Sequence, residues 1–192
     1  MITGVRLALA VAAGAAGVVA SYFALVASGA PDKGAEYSSA GRAIWTEVKW
    51  PFPIDQWGTG RAFVCKAIDC GTEVKLYLRA KLGSCNCATG VAEDADLDRM
   101  SDFDIVGGEV SPLGAGRPIK IGWMNGRSRA YALTSRNRPG ASALSAAFND
   151  RCDMIVATVV VPHDRPSDIE PRVVEFLNSS SVLHWAEIAL GI

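Results

Sequence analysis

The sequence predicts an α+β fold, in which an antiparallel sheet is flanked by helices and preceded by one N-terminal signal or transmembrane helix. Three observations support this prediction. Strand-like segments come first and helix-like segments last, an order typical of α+β domains. One segment alternates apolar and polar residues with the period of a half-buried strand. The chain also opens on a long uncharged apolar run of the kind that directs export.

The leader predicts a membrane anchor. Arg6 precedes an apolar run from Leu7 to about Ala27, close to the roughly 20 residues that a helix needs to cross a bilayer. Small residues at Ser28 and Ala30 also suit cleavage by a signal peptidase. The single cation before the run favours a cytoplasmic N-terminus. We therefore expect a single-pass inner-membrane protein with its domain in the periplasm, or a periplasmic protein if the leader is removed.

The leader also carries a predicted helix-packing face. Small residues recur at every fourth position along it, at Ala13, Gly17 and Ser21. A polar segment rich in small residues, PDKGAEYSSAGR at residues 31–42, then separates the leader from the folded part. The chain thus divides into a signal anchor or signal peptide at residues 1–30, a linker at residues 31–42 and a periplasmic domain at residues 43–192.

The bulk composition is that of one globular domain. The chain has 192 residues, 49% of them hydrophobic, enough for one core beside the leader. Its 19 basic residues nearly balance its 20 acidic residues, so no global field attracts nucleic acid. Neither His163 nor His184 belongs to a catalytic motif, and no phosphate-binding glycine loop is present. We expect no enzymatic activity, no cofactor and no nucleic-acid partner, and we identify no small-molecule substrate.

The first strands are predicted from proline positions and alternation. Pro51 and Pro53 break the early aromatic strand-like segment, so at most an edge strand continues past Trp50. Residues 73–82 then alternate strictly, which predicts a strand with one wet face. Its inward residues would be Val74, Leu76, Leu78, Ala80 and Leu82, and its outward residues Lys75, Tyr77, Arg79 and Lys81.

Residues 119–133 predict a hairpin. Asn125-Gly126 is the pair that a two-residue type I′ turn prefers, because both positions need a positive φ. This turn would place Met124 opposite Arg127 and would put Trp123 in one row with Ile121.

The last third of the chain predicts a short helix, a buried strand and helical closing segments. ASALSAAFNDRC at residues 141–152 is predicted as the short helix, and MIVATVVV at residues 154–161 as a strand covered on both faces. Residues 166–192 predict two helices or one broken helix, with apolar stripes at Ile169, Val173, Phe176 and Leu177 and at Val182, Trp185, Ala186 and Ala189.

The five cysteines are candidates for disulfides, because exported domains fold in an oxidising compartment. Cys65 and Cys70 flank a turn and can close a small loop. Cys85 and Cys87 are too close to bond each other, so one of them is expected to reach Cys152 and one cysteine stays unpaired. As an alternative, Cys85 and Cys87 together would hold a soft ion such as Cu(I) or handle thiols. No other metal site is predicted.

Acidic, basic and aromatic segments each suggest a binding hypothesis. Asp94, Asp96 and Asp98 alternate like the start of a calcium loop, but Arg99 stands where that loop needs glycine, so a short acid-rich helix is preferred. Six basic residues would form a partner-binding patch for an acidic protein or anionic headgroups if their strands share a sheet: Lys75, Arg79, Lys81, Lys120, Arg127 and Arg129. Three early tryptophans, Trp45, Trp50 and Trp57, would either line a groove or, as clusters of this kind more often do, pack in the core or at its rim.

Two stretches give the chain a resemblance to PsbP-like domains. These are FPIDQWGTGRAF at residues 52–63 and FLNSSSVLHWAEIALG at residues 176–191, with an antiparallel-sheet pattern between them. The resemblance implies a sheet sandwiched between helices and a non-enzymatic accessory role on a larger membrane assembly, and the cysteines are not part of that plan. We therefore expect an accessory subunit or assembly factor of an inner-membrane protein complex.

Overall fold

The computed structural model describes residues 43–134, 140–162 and 166–192, all within one compact unit of the chain. The predicted leader and linker, the packing face at Ala13, Gly17 and Ser21, and His163 lie outside the described residues. In the described part of the chain, no helix combines the length and the hydropathy that crossing a bilayer requires.

Eight antiparallel strands form one sheet. Their bounds are β1 Trp45–Val48, β2 Arg61–Cys65, β3 Val74–Lys81, β4 Glu109–Pro112, β5 Arg117–Ile121, β6 Met124–Thr134, β7 Ala141–Asp150 and β8 Asp153–Val161. The sheet order is β1-β2-β3-β8-β7-β6-β4, and β5 pairs with the first part of β6. The strand β1 is therefore one edge of the sheet, and it ends at Val48, before Pro51 and Pro53.

Helices cover both faces of this sheet. The long helices α4 (Pro166–Leu177) and α5 (Ser180–Leu190) pack on one face, and the short helices α2 (Asp94–Met100) and α3 (Phe103–Val106) pack on the other. A single helical turn, α1 (Ala67–Cys70), joins β2 to β3. We call the two sides the α4/α5 face and the α2/α3 face. The predicted α+β class, with helices flanking an antiparallel sheet, is confirmed.

The main core lies between the sheet and the α4/α5 pair. Val173 and Leu177 of α4 and Val182 and Ala186 of α5 are fully buried there, at the helical spacing that the sequence predicts. The C-terminal segment is thus two helices, which separate at Asn178. The strand β8 is also confirmed: from Met154 to Val161 every residue is buried, because neighbouring strands and both helical layers cover it.

The wet face predicted for β3 is wrong. Lys75 is exposed, but Tyr77, Arg79 and Lys81 are buried beneath the α2/α3 layer. Alternation reports which residues share a face, and it does not report whether a later segment of the chain covers that face.

The predicted hairpin turn is also wrong by three positions. The turn is Gly122 and Trp123, so that Ile121 pairs with Met124. Gly122 has a φ of 58°, which a glycine at the first turn position adopts freely. Gly126 instead lies inside β6, where a Cβ would approach the carbonyl oxygen of Ala147 to 2.1 Å. Its glycine therefore serves the close contact with β7, and the side chain that becomes exposed at the turn is that of Trp123.

The helix predicted at residues 141–152 is a strand. Most of this segment forms β7, which pairs along its length with β6 on one side and β8 on the other. Its alanines favour a helix by less than about 1 kcal/mol each, and tertiary pairing overrides a preference of that size. Ala143, Ala146 and Ala147 are fully buried, so their small side chains permit helical layers on both faces of the sheet centre.

Candidate docking surface

The six basic residues of the predicted patch do lie on one face of the sheet. The ladder places Arg79 of β3 level with Arg127 of β6, across the intervening residues of β8 and β7. This is the α2/α3 face, so the strands share a sheet as the hypothesis required. Only Lys75 and Lys120 remain exposed at its margins.

An acidic residue of the covering layer neutralises the centre of that face. Asp102 accepts a hydrogen bond from Arg79 Nε at 2.9 Å and forms an ion pair with Lys81 Nζ at 2.7 Å. The side chains of Arg79, Lys81 and Asp102 are 3%, 8% and 7% exposed. Arg79 also donates to Asp55. Burial alone would lower the pKa of Arg79, but its hydrogen bonds to Asp102 and Asp55 outweigh burial and raise it.

Helix α2 neutralises the other end of the same face. Asp94 accepts hydrogen bonds from the backbone N–H of Gly116 and from Arg127, and both bonds lower the pKa of its carboxyl. Asp98 accepts a hydrogen bond from Arg129 Nη1 at 2.7 Å. Four of the six predicted patch residues are therefore used inside the domain. The basic patch as a free partner surface is corrected to an internal ion-pair layer.

The contacts of the α2 carboxylates also bear on the calcium hypothesis. Asp94, Asp96 and Asp98 lie on a helix, where Asp96 joins a capping box with Glu93 and the other two point to arginines. Over residues 43–134, 140–162 and 166–192, no three His, Cys, Asp or Glu side chains are grouped so that they could hold a metal ion.

The disulfide prediction is confirmed. Cys65 bonds to Cys70, and Cys87 bonds to Cys152. Cys85 is the free thiol, and its Sγ donates to the carbonyl oxygen of Arg151 at 3.3 Å. Burial raises the pKa of Cys85, and the nearby carboxylates of Asp153 and Asp96 add to this effect. Because Cys87 is used in a disulfide, the oxidised protein has no Cys85/Cys87 dithiol that could bind copper.

The three early tryptophans do not line one groove, and this hypothesis is corrected. Trp50 and Trp57 are on the α2/α3 face, where Trp50 packs edge-on against Tyr77 and the ring of Trp57 lies 5.5 Å from Lys81 Nζ. Trp45 is on the opposite face and stacks on Phe176 of α4, with ring centroids 4.9 Å apart. Side-chain alternation along β1 and the reversal of the chain after β1 place Trp45 on one face of the sheet and the other two tryptophans on the opposite face.

A groove does form beside Trp45. It lies between β1 and α4, has a volume of about 190 Å³, and combines aromatic walls with a polar end, being lined by Ala43, Trp45, Arg172, Glu175, Phe176, Ser179 and Ser181. The indole N–H of Trp45 is buried, with no hydrogen-bond acceptor in the described part of the chain. A buried donor without an acceptor is uncommon in folded proteins.

The loop closed by the first disulfide stands next to this groove. The Cys65–Cys70 bond spans α1 and presents Ile68, whose side chain is 90% exposed. Arg172, which lines the groove, donates from Nη1 to the carbonyl oxygen of Asp69 at 2.9 Å. We call the groove and Ile68 together the candidate docking surface, shortened below to the docking surface. Sequence reasoning missed Ile68, although so short a disulfide ring leaves an enclosed apolar side chain little access to the core.

Comparisons with known proteins add no family. No family model matches the chain, and no curated protein does. Among solved structures, the chain is similar to PA94 of Pseudomonas aeruginosa, a protein of unknown function for which the role of a regulator is suggested. The identity is 13%, the match covers 71% of this chain and 81% of that one, and the TM-score is 0.37. A similarity of this size supports no inference about function.

Proposed function

We propose that this protein is a membrane-anchored periplasmic accessory subunit or assembly factor, without enzymatic activity, that docks on an inner-membrane protein complex. The leader pattern supports the anchor and the location. Two disulfides are in keeping with an oxidising compartment. The resemblance to PsbP-like domains stays a prediction and implies a role of the same kind.

The observation that carries the proposal is an exposed isoleucine held on a rigid loop beside an aromatic groove. Most binding energy at an interface comes from a few apolar or aromatic anchors surrounded by contacts that exclude water. A loop closed by a disulfide and one helical turn loses little conformational entropy on binding. Ile68 and the groove with Trp45 and Phe176 therefore form a pre-organised anchor and an adjoining recess.

Replacing Ile68 with aspartate tests this docking surface. We expect co-purification of the partner complex from gently solubilised membranes to fall roughly 30-fold, the loss that removing a hot-spot residue of about 2 kcal/mol causes. The fold should persist, because the Ile68 side chain is 90% exposed. Ile188→Asp on α5 is the matched control, because that isoleucine is 67% exposed and lies outside the docking surface. Equal co-purification by both variants and the unmodified protein would refute the docking surface.

Counting thiols separates this proposal from copper or thiol handling. We expect one iodoacetamide adduct per unreduced, denatured chain, at Cys85, and five after reduction. In the native protein at pH 8 the same adduct should form more slowly, because the raised pKa of Cys85 leaves less thiolate. Three or more adducts without reduction would favour the Cys85/Cys87 alternative.

A further inference from the structure

The outer edge of the sheet at β1 has no strand beside it in the described part of the chain. β1 pairs only with β2, so its outward N–H and C=O groups face away from the sheet. Such a row is a template for another extended strand. Long flat edges are usually protected by charge or proline, and β1 has its only charged residue, Glu47, already paired with Arg61.

The side chains along this edge also determine which strand could pair with it. Thr46 and Val48 of β1 share one side, and Ile44, which directly precedes β1, would share it if the strand were extended by one residue on pairing; all three are exposed, Ile44 by 62% and Val48 by 41%. Trp45 and Glu47 share the other side. An added strand would therefore find apolar and hydroxyl groups on one side, and a tryptophan and a neutralised carboxylate on the other.

A second copy of the chain fits this edge in one register. Two identical antiparallel strands in one continuous sheet are related by a two-fold axis between them, and one residue of the strand faces its own copy across this axis. We call this residue the position of the axis. Only such registers place opposed side chains on the same face of the sheet.

An axis at Glu47 would set the two Glu47–Arg61 ion pairs against each other and would bring Ile44 opposite Trp50, beyond the end of β1 at Val48. An axis at Val48 would bring Pro51 opposite Trp45, although Pro51 has no N–H and the chain has left the sheet after Val48. An axis at Trp45 would oppose the two Trp45 rings, each already stacked on Phe176 of its own copy, and would leave Val48 opposite residue 42, which precedes β1.

The remaining register has its axis at Thr46. In this register, Ile44 of each copy faces Val48 of the other copy. Both exposed aliphatic side chains of the edge are therefore buried. Thr46 then meets Thr46, and β-branched and Thr–Thr pairs are favourable across antiparallel strands. Each Glu47 faces a tryptophan and keeps its own Arg61, at 2.8 Å from Nε to Oε1.

We propose that two copies of this chain associate through antiparallel β1 strands centred on Thr46, which joins their two sheets into one. The interface uses residues 44–48, and one of these, Trp45, also lines the groove of the docking surface. Thr46 and Val48 lie on the other side of β1 from the groove, and Ile68 lies outside β1. Variants at Thr46 or Val48 and variants at Ile68 therefore separate loss of the dimer from loss of partner binding. One short strand pair is a small interface, so the dimer is expected to be reversible.

Cysteine cross-linking of the full-length protein reads the register directly. Three single variants, T46C, E47C and V48C, are made with C85S to remove the free thiol, and mild oxidation is applied in detergent. Opposed residues lie about 4.5–5.5 Å apart at Cα, within reach of a disulfide, whereas residues one step from the axis lie roughly 8 Å from their counterparts. We expect efficient covalent dimers from T46C alone. Efficient E47C or V48C dimers, no dimer from any variant, or attachment of T46C to a different protein would each overturn the proposal.

A second measurement tests the proposal even if the cysteine variants do not fold. Light scattering behind size-exclusion chromatography should show a dimer that dissociates on dilution. Val48→Lys should weaken this association at least 10-fold, because a lysine would replace the side chain that meets Ile44. Ile188→Lys, at another exposed isoleucine, should leave it unchanged. A monomer at every concentration, or a dimer insensitive to Val48→Lys, would refute pairing through β1.

Discussion

Replacing Asp102 with asparagine is expected to lower the free energy of unfolding by about 3–5 kcal/mol, the usual cost of removing one partner of a buried ion pair. Asp102 is the buried carboxylate shared by Arg79 and Lys81, whose side chains are 3% and 8% exposed. The asparagine variant keeps the size of the side chain and leaves two buried cations with only the more exposed Asp55 beside them. Urea unfolding of the purified protein measures the loss.

Two further variants test the cause of that loss. Asp104→Asn, at an exposed carboxylate of α3, should change the free energy of unfolding by no more than about 0.5 kcal/mol. Converting Arg79 and Lys81 to methionine in the Asp102→Asn background should recover stability, because the uncompensated charges are then gone. A cost for Asp102→Asn below about 1 kcal/mol would mean that water reaches this layer.

This ion-pair layer shows how far the sequence alone could predict the candidate site. Alternation correctly assigned Arg79 and Lys81 to one face, and the acid-rich segment was correctly expected to be a short helix containing Leu97. Nothing in either segment shows that they pack together, because the contact joins residues about twenty positions apart and depends on tertiary structure. Separately, each segment looks like a solvated charged surface. Together, they neutralise each other.

The fold itself was predictable where local and tertiary preferences agree. β8 is β-branched and buried, and the two closing helices carry apolar stripes, so these elements follow from the sequence. β7 does not, because alanine favours a helix and only pairing with both neighbours makes it a strand. Asn125-Gly126 led to a wrong prediction of the turn for a related reason. Gly126 is required by the close approach of β7, which is a tertiary contact, and not by a turn.

The cysteine pairing was predictable in part, but the docking surface was not. Pairing four of five cysteines allows 15 arrangements. The sequence favoured Cys65–Cys70 and a bond from Cys85 or Cys87 to Cys152, and only the structure shows that Cys87 makes it. The groove, in contrast, depends on where α4 ends relative to β1, which places Phe176 against Trp45 across more than a hundred residues. No local sequence pattern predicts a contact between residues so far apart in the chain.

Removing the Cys87–Cys152 disulfide should cost about 4 kcal/mol of unfolding free energy in the loop-entropy model, because the bond closes a loop with a sequence separation of 65. That loss is a large share of the 5–15 kcal/mol typical of a domain. The bond also fastens the loop after β3 to the β7–β8 turn, where the Cys85 N–H donates to the Cys152 carbonyl oxygen at 3.2 Å. Thermal and urea unfolding of Cys87→Ala/Cys152→Ala measure the effect.

The second disulfide supplies the matched control. Cys65→Ala/Cys70→Ala opens a ring with a sequence separation of only 5, for which the same model gives about 2 kcal/mol. Cys85→Ala should change stability far less, because it removes a free thiol and opens no ring. If the short ring proves the more costly one to open, then the packing of the buried Cys65, rather than chain entropy, governs what these bonds contribute.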